Sequence, residues 1–227
     1  MTKGFFMGSS MMLRNIRFVL LFLTLGLVGC SAPQVARDFK WDASPKVGVA
    51  VFSVAHDIKG GDLNQTILYL DGGIERGGVV ASSANGQTPI VMPRRPNDFE
   101  DVQGFLHVVP LAPGKHRFTH WQISNGTGLR IFPRGTLVPL EFEVGAGEVI
   151  YVGAFHGHLQ RGENVFGIEI TGGGYVGLVN AASRDLALLG QRYPQFEGQV
   201  RAAVFPSGPW VADGVAPKLD PPMPGTR

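Results

Sequence analysis

Residues 104–123 read GFLHVVPLAPGKHRFTHWQI, two short apolar segments separated by a turn sequence. The segments Gly104–Val109 and His116–Ile123 are rich in β-branched and aromatic residues, which favour strands. Between them, Pro113 fixes its own φ, and Gly114 permits the positive φ that a type II turn requires. The pattern predicts two strands joined as a hairpin with a longer loop.

Similar patterns lie on both sides of this stretch. Leu137–Val144 and Glu148–Phe155 flank the glycine-rich connection 145–147, which predicts a second hairpin. Period-two or short apolar runs predict further strands at Lys46–Ala55, Thr66–Leu70, Gly78–Ser82, Val165–Ile170 and Tyr175–Val179. The last two are separated by three consecutive glycines, 172–174, which we interpret as a break between strands.

One helix is predicted near residues 183–193. Ser183 is a candidate N-cap, and Leu186, Leu189 and Tyr193 recur at helical spacing before Pro194 ends the segment. Together with roughly seven short strands, this predicts a mainly β fold. The expected type is an antiparallel β-sandwich, immunoglobulin-like or transthyretin-like, with one C-terminal helix.

The chain also divides by composition. We assign residues 1–29 to a signal peptide, 30–44 to a tether, 45–197 to the β-sandwich domain with its terminal helix, and 198–227 to a Pro/Gly-rich tail. In the first segment, Arg14 and Arg17 precede the apolar run Phe18–Val28, which is too short to span a bilayer and has the length of a signal-peptide core.

The residues at the end of this run, Leu27-Val28-Gly29-Cys30, resemble the lipobox of bacterial prolipoproteins. The resemblance implies signal cleavage between Gly29 and Cys30, and acylation of Cys30 with diacylglycerol and a further chain such as palmitate. Several acyl chains anchor a protein where one does so only marginally. The alternative is an ordinary core cysteine, although Cys30 is the only cysteine in the chain.

The lipobox resemblance implies a location in the cell envelope, with the membrane as a partner through the lipid on Cys30. Ser31 stands where an aspartate would resemble the inner-membrane retention signal of Gram-negative lipoproteins. In a Gram-negative source, the outer membrane facing the periplasm is therefore favoured.

A second resemblance covers residues 104–194. The motifs PLAPGKH, FEVGAGEVIYVG and RDLALLGQRYP are similar to uncharacterised bacterial envelope lipoproteins that carry a small β-sandwich domain. The resemblance implies a fold and a compartment, and it implies no activity and no functional residues.

Histidines are the candidate metal ligands. His156 and His158 are two apart on a predicted strand end and would leave the same face, and His116 and His120 are expected to share a face of another strand. If the two strands are neighbours, three or four imidazoles could converge on zinc or copper. In the alternative interpretation, residues 156–158 form the exposed tip of a loop.

Other function classes find little support. The formal net charge is +2, and because the signal segment holds Lys3, Arg14 and Arg17 with no acidic residue, the remainder is close to neutral. A nucleic-acid partner is therefore not expected. No nucleophile elbow or nucleotide-binding glycine motif occurs, so we predict neither an enzyme nor a cofactor.

The leading prediction is a non-catalytic envelope lipoprotein with a structural role or a protein partner in the envelope. One alternative is a metal-binding or hydrolytic protein that uses the histidines. Another is a glycan-binding module, for which Trp121, Tyr151 and Tyr175 would have to be exposed, whereas such aromatic residues are commonly part of the core.

Overall fold

The computed structural model describes residues 34–36, 46–58, 64–71, 78–84, 96–124 and 128–215. In these ranges the protein is mainly β, with two sheets and one α-helix. The predicted signal peptide and the lipobox residues Gly29 and Cys30 lie outside the described residues. Within the described ranges, no helix is both long and apolar enough to cross a bilayer.

Sheet 1 contains six strands within the described ranges: β1 (Gly48–His56), β4 (Gln103–Leu111), β8 (Val149–Glu163), β9 (Glu169–Val179), β10 (Val200–Ala202) and β11 (Gly208–Trp210). Their order is β11-β9-β8-β1-β4, with β10 beside the first part of β8.

Sheet 2 contains five strands in the same part of the chain: β2 (Gln65–Asp71), β3 (Val79–Ser82), β5 (Gly114–Ser124), β6 (Arg130–Ile131) and β7 (Leu140–Val144). Their order is β3-β2-β5-β6, and β7 pairs with the first part of β5.

Sheet 1 is mixed, whereas the sequence predicted an antiparallel fold throughout. Strand β1 runs antiparallel to β4 but parallel to β8, and β10 is also parallel to β8. Parallel neighbours need a long connection between them. All of sheet 2 lies between β1 and β8 in the chain, and this supplies that connection.

The two predicted hairpins are wrong, although their strands are present. Strands β4 and β5 follow each other closely but pair in different sheets, and so do β7 and β8. The glycines do adopt the expected positive φ, 136° at Gly114 and 71° at Gly147. A turn sequence shows where the chain reverses, but it does not show whether the next strand pairs with the previous one or crosses to the other sheet.

The three glycines at 172–174 do not separate two strands. They lie inside β9, which pairs with β8 across a hairpin whose turn includes Asn164 and Gly167. The helix, α1 (Ala182–Arg192), matches the prediction closely. Its expected cap is wrong, because the N-cap is Ala181 with no side-chain hydrogen bond, and Ser183 lies in the first turn.

Two apolar clusters cover the two faces of sheet 1. The larger draws side chains from both sheets, including Phe52, Phe118, Trp121 and Phe155. The smaller lies on the opposite face of sheet 1, where Leu189 and neighbouring residues from α1 pack. Because both of its faces are covered, all nine residues of β1 are buried.

Short segments from the predicted tether and tail also belong to this structure. Val35 is buried, its amide donates to Val108 O at 2.9 Å, and its carbonyl accepts from Tyr193 Oη at 3.1 Å. In β11, Trp210 is buried, and its carbonyl accepts a hydrogen bond from Trp121 Nε1 at 3.0 Å. The sequence did not predict these contacts, because both segments contain few apolar residues.

A fully buried carboxylate holds α1 on sheet 1. Asp185 Oδ2 accepts hydrogen bonds from Ser53 Oγ at 2.6 Å and from Tyr151 Oη at 2.8 Å. Its other oxygen accepts from Arg184 Nε at 3.0 Å. Burial, with the neighbouring carboxylate, raises the pKa of Tyr151, so the phenol remains a donor. Two hydroxyls and one guanidinium thus donate to a single carboxylate, as a buried carboxylate requires.

We expect Asp185→Ala to destabilise the protein by about 3 kcal/mol, because it leaves two buried hydroxyls and a guanidinium without their acceptor. Urea unfolding of the full chain measures this loss. The control is Ser183→Ala on the same helix, which should change stability by less than about 0.5 kcal/mol since Ser183 is exposed and caps nothing. Equal stability of the two variants would contradict the assigned role of Asp185.

Candidate functional site

The parallel pairing of β1 with β8 brings a carboxylate to two histidines. In this register Ala55 lies opposite His156 and His56 opposite Gly157, so Asp57, which follows β1, lies beside His158. Alternate residues of a strand share a face. Asp57, His156 and His158 therefore emerge together on the face of sheet 1 that also carries α1.

The three side chains are in direct contact. His156 Nε2 lies 2.8 Å from Asp57 Oδ1, and His158 Nδ1 lies 3.8 Å from Asp57 Oδ2. One candidate ligand atom from each residue lies within 4.8 Å of the other two. The side chain of His156 is 11% exposed, that of His158 33% and that of Asp57 59%, so the group opens to solvent on one side. We refer to these three residues as the Asp–His–His cluster.

The backbone of the cluster is fixed from the inner face of sheet 1. A Cβ at Gly157 would overlap the hydroxyl of Thr66 on β2, so only glycine fits between the two histidines. Ser83 Oγ in turn accepts from the Thr66 amide at 2.8 Å and lies 2.7 Å from His56 Nδ1. These contacts join β1 and β8 to sheet 2 directly behind the cluster.

The cluster is electrostatically asymmetric. Hydrogen bonds from His156 and then His158 hold the pKa of Asp57 well below its usual range, so this carboxyl is ionised at any physiological pH. Burial lowers the pKa of His56, on the inner face, to about 4, and the charge of His156 adds to this while Asp57 opposes it. His56 is therefore neutral at neutral pH. The carboxylate of Asp57 interacts with the two outer histidines instead.

Two imidazoles and one carboxylate form a common ligand set for divalent transition metals. In a tetrahedral zinc site with bonds of about 2.1 Å, neighbouring ligand atoms lie about 3.4 Å apart. The candidate ligand atoms of the cluster lie within 4.8 Å of one another, so the most distant pair has to move closer together. His158 is the ligand with room to move, because a third of its side chain is exposed.

The aromatic residue beside the cluster is Tyr175, which lies opposite His158 on β9. Its ring stacks on the imidazole of His158 with centroids 4.7 Å apart, and the rings of His156 and His158 are 4.5 Å apart. The other two aromatics considered for a binding platform, Trp121 and Tyr151, are buried. Tyr175 thus packs on one face of the His158 imidazole.

The other predicted metal ligands, His116 and His120, are not part of the cluster. Both are on β5 of sheet 2, which does not pair with β8. They also do not share a face, because the register shifts between Phe118 and His120 where they pair with β2. His116 lies inside with its Nε2 2.7 Å from Ala112 O, whereas His120 packs outside against Phe132. A one-residue bulge inverts period-two alternation, and the sequence did not show it.

Of the two histidine pairs that spacing predicted to share a face, the structure confirms His156 and His158 but not His116 and His120, and it adds a ligand that the sequence did not suggest. His156–His158 lie within β8 and not at a loop tip, since His156 and Gly157 are buried. Asp57 was missed because it reaches the histidines only through the β1–β8 pairing. The one local signal was the pair His56-Asp57 at the end of an apolar strand.

Comparison of the chain with protein-family models, with curated proteins and with solved structures finds no match in any of the three. The geometry of the Asp–His–His cluster therefore stands on the structure alone.

The buried His56 makes stability dependent on pH. The unfolded chain takes up a proton on this residue near pH 6.5, but the folded protein does so only near pH 4, so the unfolded state binds more protons between these values. We expect the free energy of unfolding to fall by about 3 kcal/mol as pH is lowered through this window. Urea unfolding at a series of pH values measures the slope.

The variant His56→Gln removes the titrating group and should flatten this part of the profile. Ser83→Ala keeps the imidazole while removing its hydrogen-bond partner, and its profile should stay steep. A wild-type profile that is flat between pH 6.5 and 4 would show that His56 takes up its proton in the folded protein.

Proposed function

We propose that this chain is a lipid-anchored protein of the bacterial envelope whose domain binds a divalent transition-metal ion at Asp57, His156 and His158. Of the functions that the sequence left open, metal binding has the most specific support in the geometry. The observation that carries it is the approach of three ligand atoms of suitable type within 4.8 Å at a solvent-facing position.

The fold that we propose for the domain is a β-sandwich, of immunoglobulin-like or transthyretin-like type. Its support is the apolar cluster that includes inward-facing side chains of both sheets, among them Phe52 of β1 and Phe118 of β5. The ring centroids of these two residues are 5.1 Å apart, in an edge-to-face arrangement.

Zinc and copper are the ions that best suit two imidazoles and a carboxylate. Both bind imidazole nitrogen readily, and copper(II) generally binds a given site more tightly than zinc does. The ionised Asp57 supplies the negative charge, and the hydrogen bond it makes to His156 orients that ring before an ion arrives. Because protons compete with a metal ion for imidazole nitrogen, affinity should be lower in acidic solution.

Isothermal titration of the full chain with Zn²⁺, and separately with Cu²⁺, tests the site. We expect one ion per chain, and a loss of affinity of more than about tenfold in both His158→Ala and Asp57→Asn, since each removes one of three ligands. Both residues are at least one-third exposed, so the variants should remain folded.

The matched control is His120→Ala, which removes a partly exposed histidine on the other sheet and should leave the affinity unchanged. Thermal unfolding with and without the ion gives a second readout, because an ion that binds only the folded state raises the melting temperature. Equal metal uptake by all four proteins, or no uptake by the wild type, would rule the site out.

Membrane attachment rests on the lipobox residues 27–30. In a Gram-negative host fed a clickable fatty acid, the full chain should become labelled and should fractionate with membranes. Cys30→Ser should lose both the label and the membrane fraction, because the thiol is the acylated atom.

Ser31→Ala is the control for lipidation and should behave as the wild type. A Cys30→Ser variant that is still labelled would show that Cys30 is not the anchor, and it would leave the metal site unaffected.

A further inference from the structure

A groove with a volume of about 620 Å³ lies between the edge of sheet 2 at β6 and the edge of sheet 1 at β9. Its walls are formed by residues 129–134, by Gln160 of β8, by residues 171–175 of β9, and by Trp121, Val211 and Val215. The walls include apolar side chains, arginines and a glycine-rich backbone, so the groove offers several kinds of contact at once.

The β9 wall of the groove is an incompletely covered sheet edge. Strand β8 pairs with β9 along its length, but on the other edge β11 pairs only with Val176–Leu178. Among the described strands, none pairs with that edge at 172–174. The opposite wall, β6, pairs only with β5 in the same part of the chain. An uncovered edge offers backbone hydrogen-bonding groups to a further extended strand.

The glycines make this edge accessible. A Cβ added at Gly172 would meet only the carbonyl oxygen of Gln160, at 4.0 Å, so a side chain would fit there without disturbing the fold. The absence of side chains at three consecutive positions leaves the backbone reachable from the groove, a situation that glycine in a strand often marks. Packing within the fold requires no glycine at 172, whereas a Cβ at Gly174 would lie 2.7 Å from His158 O.

The groove is positively charged. Arg130 and Arg134 are both exposed, and neither forms an ion pair with a carboxylate in the described part of the chain. None of the lining residues is acidic. The amide nitrogen of Gln160, also in the wall, has no hydrogen-bond acceptor among the described residues. The two exposed cations favour a ligand that carries carboxylates.

We propose that this groove binds an extended, acidic segment of a partner protein, which adds to β9 as a strand. Its carboxylates contact Arg130 and Arg134, while alternate apolar side chains pack on Leu129, Phe132 and Tyr175. Side chains of a strand alternate between two faces, so one segment satisfies both walls. The backbone of residues 172–174 supplies the hydrogen bonds that hold the segment in register.

The test uses a capped, fluorescein-labelled peptide of about seven residues that alternates Glu with Val, the length of an ordinary strand. Fluorescence anisotropy with the full chain in detergent micelles measures its dissociation constant. Arg130→Glu combined with Arg134→Glu should raise that constant by at least about tenfold, since both cations become anions. Gly172→Val should also raise it, because the added side chain fills the groove.

Controls separate the groove from general charge attraction. Lys115→Glu reverses one exposed cation on β5 outside the groove lining, so binding should change by less than about twofold. A peptide with Lys in place of Glu should not bind. Hydrogen exchange of residues 170–175 should slow when the acidic peptide is added, which is the signature of strand addition.

Three results would overturn the proposal. One is the absence of binding at about 1 mM peptide, because a dissociation constant above that concentration is too weak for a specific complex. Another is binding that the groove variants and Lys115→Glu weaken equally. The third is preferential binding of the full chain to vesicles of phosphatidylglycerol, lost in the double arginine variant, which would assign the arginines to a membrane surface. The metal titration is independent of each of these outcomes.

Discussion

The parallel pairing of β1 with β8 is the constraint on which the other features of this protein depend. It places Ser53 and Tyr151 on the same face of sheet 1, so that one helix residue, Asp185, can accept a hydrogen bond from each. A few residues further along the same pair, it places Asp57 beside His156 and His158. If β8 slipped by one residue against β1, its side chains would change faces and both arrangements would be lost.

Two carboxylates on the same face of sheet 1 have opposite environments. Asp185 is fully buried beneath α1, and its two oxygens accept from Ser53, Tyr151 and Arg184. Asp57 has more than half of its side chain exposed, and it contacts the imidazoles of His156 and His158. The first therefore stabilises the packing of the helix. The second retains the capacity to bind an ion from solution.

The sequence predicted local structure well and pairing poorly. Period-two runs located β1, β2 and β3 to within about two residues, which is the usual uncertainty at element ends. Helical spacing located α1. The predicted hairpins failed because β4–β5 and β7–β8 each cross between the sheets, and a turn sequence carries no information about that choice. The short strands β6, β10 and β11 were missed because two or three residues show no period.

The candidate site could likewise be predicted only in part, because it depends on strand pairing as well as on local structure. The shared face of His156 and His158 follows from their spacing within one strand. Their carboxylate partner, Asp57, lies 99 residues before His156 and is not detectable from any local pattern. The bulge at β5 that separates His116 from His120 is likewise a property of pairing, since it is defined only against β2.

The burial of β1 also has a consequence for how this chain reaches its native state. GVAVFSVAH is uncharged up to its last residue and contains no proline. Sheet 2 and α1 cover its two faces, and β4 and β8 pair with its two edges. Such a segment is prone to aggregate while it is exposed. Its antiparallel partner β4 lies closer to β1 in the sequence than β8 does. The loop closed by pairing β1 with β4 is therefore shorter and costs less entropy to close. The shorter loop thus favours pairing of β1 with β4 first, and the other edge of β1 stays open until β8 pairs with it.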